Sequence, residues 1–363
     1  MDFVHLQCQS EYSVKNSLVR VPDLIDSVKE AGMKSVALTD DMSLFSAIKF
    51  YQKAINSGIK PIIGAKISVN NDAGIYDAIL LCQNHEGYLN LSELISKAYL
   101  NEKEGVTVCV SEGQLRAHNK GLLMIASPIS SDISKLLLNN EFELAKNKIL
   151  EWTNTFDDRY YIAVQRTGRN LDESLLNHMI DLGVELQVPI VATNDVQFLH
   201  KSDYEAHEAR ICIAEGGLLD DARRVKNFSN AQFLKNPNEM SLLFEDYPQI
   251  IENTIEIAKR CNLHFELFQK NYLPVFPTPD GMSIADFFSE ESKKGLEVRL
   301  DGLKVDRKIY DERLSFELSV ILEMDFLEKF KMIRTWFLSF IKSMVFICQE
   351  LRDFSRLLVL KEI

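Results

Sequence analysis

Acidic side chains stand at the ends of apolar, strand-like segments of this 363-residue chain. Asp40 and Asp41 follow the segment Ser35–Thr39, and Asp195 follows Val188–Thr193. In folds that alternate strands and helices, binding and catalytic residues gather at the carboxyl ends of the strands. Carboxylate oxygens at such an edge could hold Mg²⁺, which prefers oxygen ligands and lowers the pKa of bound water. Metal-assisted chemistry is therefore the first hypothesis to weigh.

Three other groups of side chains could do chemistry, and each has a plainer interpretation. His207 and Glu208 could form an acid–base pair on one helix, but a solvated helix start is the favoured interpretation. Arg166 and Arg169 could hold a phosphate, but intramolecular ion pairs are favoured. His5 has no partner histidine at metal-ligand spacing, so we predict that it is packed or caps a backbone group.

Composition excludes several classes of protein. The net charge of −12 argues against this chain being the main DNA-binding part of a larger protein or complex. Contacts to DNA phosphates need clustered Lys and Arg. The six cysteines form no C-x-x-C pair and mostly lie in apolar runs, which predicts buried, reduced thiols and a cytoplasmic location. The most apolar stretch, Trp336–Cys348, is broken by Lys342 and is too short to span a bilayer, so we expect no membrane partner.

Strand-like and helix-like segments alternate over the first two-thirds of the chain. This alternation predicts an α/β fold with a parallel sheet, open or closed into a barrel. After Val196 the pattern becomes helical, and Tyr272–Pro279 is typical of an extended Pro-rich linker. The predicted strands are Phe3–Cys8, Ser35–Thr39, Lys60–Val69, Ile75–Cys82, Gly121–Ala126, Tyr160–Gln165 and Val188–Thr193. The predicted helices are Val21–Ala31, Ser43–Ser57, Tyr88–Tyr99, Glu141–Thr155, Glu173–Gln187, Glu239–Phe244, Ile250–Cys261, Ser283–Gly302 and Asp311–Met324.

Several short sequence strings occur along the chain in the same order as in one known protein family. The strings are Phe3–Leu6, Ser10–Ser13, Ala37–Asp40, Gly58–Gly64, Gly87–Leu91, Gln165–Arg169, Pro189–Asp195, Tyr272–Pro274, Tyr310–Leu314 and Glu317–Leu318. Together they resemble the N-terminal part of the bacterial DNA polymerase III alpha subunits, which begins with a PHP (polymerase and histidinol phosphatase) domain and leads into the palm. The resemblance runs to about Phe326. It implies a distorted β/α barrel followed by a Pro-rich linker and a helical C-terminal segment.

The resemblance also implies where a cluster of divalent metal ions would lie. The family's first motif is His-x-His, and its positions are occupied here by Gln7 and Gln9. The second motif is Asp-His, which is Asp40-Asp41 in this chain. A glutamine offers only a weak carbonyl donor in place of an imidazole, so the first motif is poorly suited to bind a metal ion.

The later metal motifs differ from the family pattern as well. A family Glu falls at Lys66, a family His falls at Asp77, and the final Asp-x-His is Asp195 and Gln197. Lys66 would place an ammonium group where a cation should sit. We therefore interpret all eight positions as vestiges of a metal site, with Lys66 paired to one of the carboxylates. A Mg²⁺ ion held by the four remaining carboxylates is the alternative.

The family's nucleotidyl-transfer motifs do not occur in the sequence. These are a Gly-Pro-Gly-Arg-Gly-Ser-Gly string and an Asp-x-Asp pair that binds two Mg²⁺. The resemblance thus implies a part of a DNA-directed DNA polymerase without the catalytic aspartates. We predict a PHP-like domain over residues 1–270, a linker with palm-like helices over 271–326, and a divergent tail over 327–363.

The expected role is that of a structural and binding module in DNA replication. The resemblance implies the proofreading exonuclease and other replisome subunits as partners, with DNA reached only through the palm, fingers and later domains. No cofactor is expected for this chain, whereas Mg²⁺ serves the full-length family. A stand-alone PHP-type metal-dependent phosphoesterase and a non-catalytic α/β scaffold are the alternatives.

The tail beyond about Leu327 departs from the family pattern and contains no glycine. When its codons are shifted back by one base, they permit an Asn-Gly-Val-x-x-Pro-Gly string that resembles the family's approach to its glycine-rich loop. One interpretation is therefore a tail encoded out of frame. The other is a lineage-specific helical tail in the true frame.

Overall fold

The computed structural model describes residues 2–100, 107–221, 223–267 and 278–323. The chain divides into two compact units, Met1–Phe265 and Glu266–Ile363. The predicted tail and the linker residues 272–277 lie outside the described ranges, and the predicted domain boundaries stay predictions. No helix within these ranges is long and apolar enough to cross a membrane.

Most predicted elements of the first unit are present, with ends shifted by a few residues. The strands are β1 Ser35–Asp41, β2 Lys60–Asn71, β3 Gly74–Cys82, β4 Val110–Ser111, β5 Leu122–Ala126, β6 Tyr160–Gln165 and β7 Ile190–Thr193. The helices are α1 Val21–Glu30, α2 Ala47–Asn56, α3 His85–Leu100, α4 Glu112–Ala117, α5 Asp132–Leu138, α6 Phe142–Phe156, α7 Asp172–Leu186, α8 Tyr204–Glu215, α9 Pro237–Leu243 and α10 Pro248–Arg260. The sequence did not predict β4, α4 or α5, and of α8 it predicted only the start.

The strands form one mixed sheet in the order β1-β2-β3-β5-β6-β7, and β4 pairs with β2 outside this path. The pairs β1–β2, β5–β6 and β6–β7 are parallel, but β3 runs antiparallel to both of its neighbours. The prediction of a parallel sheet is therefore wrong at β3. Only Asp72 and Ala73 separate β2 from β3. So short a connection makes a hairpin, because a parallel pair needs a crossover of a dozen or more residues.

The N-terminal segment, residues 5–9, closes this sheet into a distorted barrel. On one side, two amides of β1 donate to the carbonyls of His5 and Cys8 at 2.8 Å. On the other side, the amide and carbonyl of Val196 pair with the segment at 3.0 and 3.1 Å. The predicted strand Phe3–Cys8 is not a regular strand, because only an isolated bridge from Cys8 to Val196 forms. The segment nevertheless joins β1 to the chain that follows β7.

Apolar side chains from the strands fill the barrel interior. The core cluster includes Leu6 from the N-terminal segment, Ile62, Ile79, Ile125 and Val191 from the sheet, and Ile257 from α10. Nearly continuous apolar strands are typical of sheets covered on both faces. Of the six cysteines, Cys8, Cys82, Cys212 and Cys261 are buried free thiols, as predicted, and Cys109 is half-buried. The packed core fixes the strand ends, where the polar residues stand.

The second unit contains two helices within the described ranges, α11 Ile284–Leu300 and α12 Arg307–Glu323. Ser283 begins α11 by accepting a hydrogen bond from the amide of Asp286 at 3.1 Å. Arg307 at the start of α12 forms an ion pair with Glu297 of α11. Both helices were predicted from their apolar spacing.

Candidate functional site

Asp40 at the end of β1 is a fully engaged buried carboxylate, with 1% of its surface exposed. Its oxygens accept hydrogen bonds from the Ser10 amide at 2.6 Å, from the Ser10 hydroxyl at 2.8 and 2.9 Å, and from the Ser13 hydroxyl at 2.9 Å. The Ser46 hydroxyl also donates to it. Because protein donors surround both oxygens, Asp40 ties residues 10–13 and the start of α2 to the end of β1 and has little capacity left for a metal ion.

Asp195 is held by amides rather than by a cation. The Nε2 groups of Gln7 and Gln197 both donate to its Oδ1 at 2.8 Å, and Gln232 donates to its Oδ2 at 2.9 Å. A carboxylate only accepts hydrogen bonds, so this arrangement fixes which way the two amides at Oδ1 point. The Oε1 atoms of Gln7, Gln9 and Gln197 are buried and find no hydrogen-bond partner within the described ranges.

Lys66 on β2 lies between carboxylates on the two neighbouring strands. Its Nζ is 3.6 Å from Asp41 Oδ1 on β1 and 3.8 Å from Asp77 Oδ2 on β3. Burial alone would lower the pKa of Lys66, but Asp41, Asp77 and Asp195 together raise it above its ordinary value. The lysine therefore stays an ammonium ion, and its positive charge balances the negative charge of Asp41 and Asp77.

A cavity of about 120 Å³ opens between these two groups of residues. Its lining includes Gln7, Gln9, Lys66, Arg169, Asp195 and Gln197. Of the eight positions predicted as vestigial ligands, five therefore share one cavity. The other three, Asp40, Asp41 and Asp77, do not line it, although two of them contact Lys66. Their common origin in a metal site stays a prediction from the resemblance.

The donor set does not fit the cluster of divalent metals that the resemblance implies. No group of three or more His, Cys, Asp or Glu in the described part of the chain is arranged to hold a metal ion. Amides stand where imidazoles would be needed, and their N–H groups face Asp195. The Lys66 ammonium would repel a cation placed in the same cavity. This geometry supports hydrogen bonding and charge neutralisation rather than activation of water.

His207 and Glu208 lie near the start of a helix, α8, as predicted, but both are buried, so the predicted solvent exposure is wrong. His207 Nε2 lies 2.7 Å from the Asn16 carbonyl, and burial lowers the pKa of its imidazole. Glu208 forms an ion pair with Arg224. Arg224 belongs to an irregular segment sixteen positions further on, and no spacing rule connects such a residue to a helix. The sequence therefore gave no signal for this pair.

The remaining candidates behave as their plainer interpretations predicted. Arg166 forms ion pairs with Glu173 and Asp246, each at 2.7 Å. His5 is packed in the interior, with Nε2 2.8 Å from the Lys235 carbonyl, and desolvation by burial lowers its pKa to about 4. Neither residue reaches the cavity lining. Arg169 does line the cavity, and its Nε donates to the Thr167 hydroxyl at 2.9 Å.

Comparison with known proteins defines the class of the first unit. The family model for the PHP domain matches residues 5–167. This match spans the N-terminal segment, β1 to β6 and most of the positions discussed above. The chain contains a PHP domain, which confirms the α/β, PHP-like fold class predicted from the sequence.

Curated relatives identify the family more narrowly. DNA polymerase III subunit alpha of Pseudomonas fluorescens is 41% identical over 336 residues, which cover 89% of this chain and 29% of the relative. The corresponding subunit of Escherichia coli (strain K12) is 38% identical over 334 residues, with the same two shares. The chain is a homologue of the DNA polymerase III alpha subunits and spans less than a third of their length.

Among solved structures, an amidohydrolase from Chromobacterium violaceum with bound SO4 and no metal overlaps 57% of this chain and 96% of its own. The two are 12% identical with a TM-score of 0.40. A TM-score this low carries no inference about function.

Proposed function

We propose that this chain acts in DNA replication as the non-catalytic, PHP-containing region of a DNA polymerase III alpha subunit. The homology supports the replication role. The observation that carries the non-catalytic role is the Lys66 ammonium, which lies within 4 Å of two carboxylates at the implied metal site. A phosphoesterase needs a metal ion there to activate water, and an ammonium ion cannot do this. We propose that the region works in the cytoplasm without a cofactor.

The proposed partners are the proofreading exonuclease and other replisome subunits. The net charge of −12 makes a protein partner a better match than DNA for this region. Any DNA contact would then fall to other parts of the longer relatives, where Mg²⁺ would also act. Titration of the purified chain with the cognate proofreading exonuclease, followed by calorimetry, tests the role. We expect a saturable complex. If the two proteins release no heat of binding and do not co-elute in size-exclusion chromatography at micromolar concentrations, this partner is refuted.

A metal-dependent phosphoesterase is the second candidate, because the PHP domain match itself is shared with that class of enzyme. We expect no phosphoester hydrolysis above the no-enzyme rate with Mn²⁺, Zn²⁺ or Mg²⁺. The matched control is Asp195→Asn, which keeps the shape of the side chain while removing its charge from the cavity. Metal-dependent turnover that this substitution abolishes would establish the phosphoesterase and overturn the proposal.

A further inference from the structure

Lys66 lies on β2, between the two strands that carry its carboxylate partners, Asp41 on β1 and Asp77 on β3. In the β1–β2 register Asp41 lies directly opposite Lys66. On the other side Ser68 lies opposite Asp77, two residues along β2. One side chain on β2 thus contacts β1 and β3 at the same edge. A cation in this position holds together two carboxylates, on β1 and β3, that would otherwise repel each other.

The neighbouring carboxylate is neutralised differently. Asp195 has no Lys, Arg or His within 4 Å in the described ranges, and the N–H groups of three glutamines surround it instead. Gln7 and Gln197 stand at positions where the resemblance places histidine ligands. Their amides therefore direct N–H groups at a carboxylate that would otherwise face a metal ion. The carboxylates Asp41, Asp77 and Asp195 are thus neutralised by N–H donors of the protein itself, the first two by Lys66 and the third by the glutamine amides.

We propose that Lys66 is a built-in substitute for a metal ion, and that the barrel end is held together by this ammonium without any bound metal. The proposal deepens the non-catalytic role proposed above and concerns the same site. It also makes a stronger claim than the loss of catalysis. If Lys66 replaces a metal, then removing its charge should make the protein's stability depend on divalent cations.

The orphaned amide oxygens give this claim its physical basis. With the lysine removed, Asp41 and Asp77 lose their shared counter-ion, and the buried Oε1 atoms of Gln7 and Gln9 already lack hydrogen-bond partners among the described residues. Carboxylate and amide oxygens are acceptable ligands for Mn²⁺ or Mg²⁺. The variant would therefore contain oxygen donors at one edge without the Lys66 ammonium that now neutralises Asp41 and Asp77.

The test uses thermal unfolding of the full chain in EDTA and in millimolar MnCl₂. Lys66→Met should lower Tm by about 5 °C in EDTA, which is the shift expected when a partly buried counter-ion is lost from a domain of this size. At least half of this loss should return with Mn²⁺. The unsubstituted chain and Lys66→Arg should show Tm values that do not change with Mn²⁺.

Lys148 offers a matched control, because its side chain has the same 17% exposure as Lys66 and also contacts two carboxylates. Arg116 lies 3.4 Å from Glu112 and 3.0 Å from Glu151 and remains when Lys148 is replaced. Lys148→Met should therefore lose stability in EDTA without regaining it in Mn²⁺.

Three results would overturn the proposal. They are an unsubstituted chain that Mn²⁺ stabilises, a Lys66→Met variant as stable in EDTA as the unsubstituted chain, and a destabilised Lys66→Met variant that Mn²⁺ does not restore. If Lys66→Met does not fold, Lys66→Arg decides, because a requirement for Mn²⁺ in that variant contradicts an ammonium-like role. Failure of exonuclease binding would leave all of these melting data unchanged, so the two proposals can fail separately.

Discussion

Two clusters in the barrel domain place a lysine between two carboxylates, and they differ in geometry. The Lys66 cluster consists of Lys66, Asp41 and Asp77, with N–O distances of 3.6 and 3.8 Å. The Lys148 cluster contains Lys148 with Glu112 and Glu151, at 2.8 and 3.2 Å. Only the second cluster has a distance, that of Lys148 to Glu112, within the ~2.7–2.9 Å of charge-assisted hydrogen bonds.

The surroundings of the two clusters differ in the same direction. Glu112 also accepts hydrogen bonds from Asn71 at 3.0 Å, Tyr76 at 3.1 Å and Arg116 at 3.4 Å, so its oxygens are saturated by protein donors. The Lys66 cluster instead borders a cavity with buried amide oxygens that have no hydrogen-bond partner in the part of the chain that the structure describes. Two lysines of equal exposure thus belong to a closed hydrogen-bonded network in one place and to a looser charge balance in the other. The looser cluster is the one that the resemblance assigns to a former metal site.

The largest effect is expected at Asp40, which lies beside the Lys66 cluster but is saturated in the manner of Glu112. Asp40→Ala should lower the free energy of unfolding by about 4 kcal/mol, because three buried hydroxyl groups and an amide lose their acceptor. Urea denaturation measures this loss. Asp40→Asn, which retains one acceptor oxygen, should lose less. A loss below about 1 kcal/mol for the alanine variant would show that Asp40 is not an anchor.

A pH experiment examines the segment that brings Gln7 and Gln9 to the cavity, since this segment begins at His5. The pKa of His5 is about 4 in the folded state and near 6.5 when unfolded. Below 6.5 the unfolded chain takes up a proton that the folded chain refuses, so stability falls as the pH drops towards 4. The loss of unfolding free energy that His5 causes should reach about 3 kcal/mol at pH 4.

The measurement is the free energy of unfolding in urea at pH 7 and pH 4.5, for the unsubstituted chain and for His5→Gln. The glutamine cannot be protonated, so the gap between the two proteins should narrow as the pH falls. Carboxylates titrate in both proteins and cancel in the difference. A gap that stays constant would contradict the lowered pKa of His5. The Lys148 cluster contains no imidazole and should not contribute to this change.

The smallest effect compares one carboxylate from each cluster. Glu112→Gln should cost about 2 kcal/mol, because one half-buried acceptor of four donors loses its charge. Asp77→Asn should cost less than about 1 kcal/mol, because Asp77 is partly exposed and lies 3.8 Å from Lys66. Thermal and urea unfolding of the two variants side by side would give the order. The reverse order would remove the distinction drawn between the clusters.

Local patterns predicted most elements of the barrel, and the failures have physical causes. Helices α1 and α10 place their apolar residues on one face, so their spacing revealed them. Helix α8 carries His, Glu and Arg among its apolar residues, so no such face marked it. The direction of β3 follows from the two residues that precede it, and this signal was present in the sequence but outweighed by the β/α alternation.

The candidate site divides in the same way. The resemblance supplied the positions Gln7, Lys66 and Asp195, and the structure brings all three to one cavity. Gln232, which donates to Asp195, was missed because it lies 37 positions away in an irregular segment. Partners of this kind depend on how loops return to the barrel, and no periodicity encodes that path.

The closure of the barrel by residues 5–9 sets an order of events during synthesis. This segment is made before the strands that it joins, yet its pairing partner is Val196, and the amide of Val4 donates to Thr254, which is 250 positions further on. Contacts so distant in sequence form late, because a long loop must be closed before they are made. Until then β1 and β7 are open sheet edges to which strands of other chains could add. A segment made before the strands that it joins is thus incorporated after them, and the nascent sheet keeps open edges until Val196 has emerged.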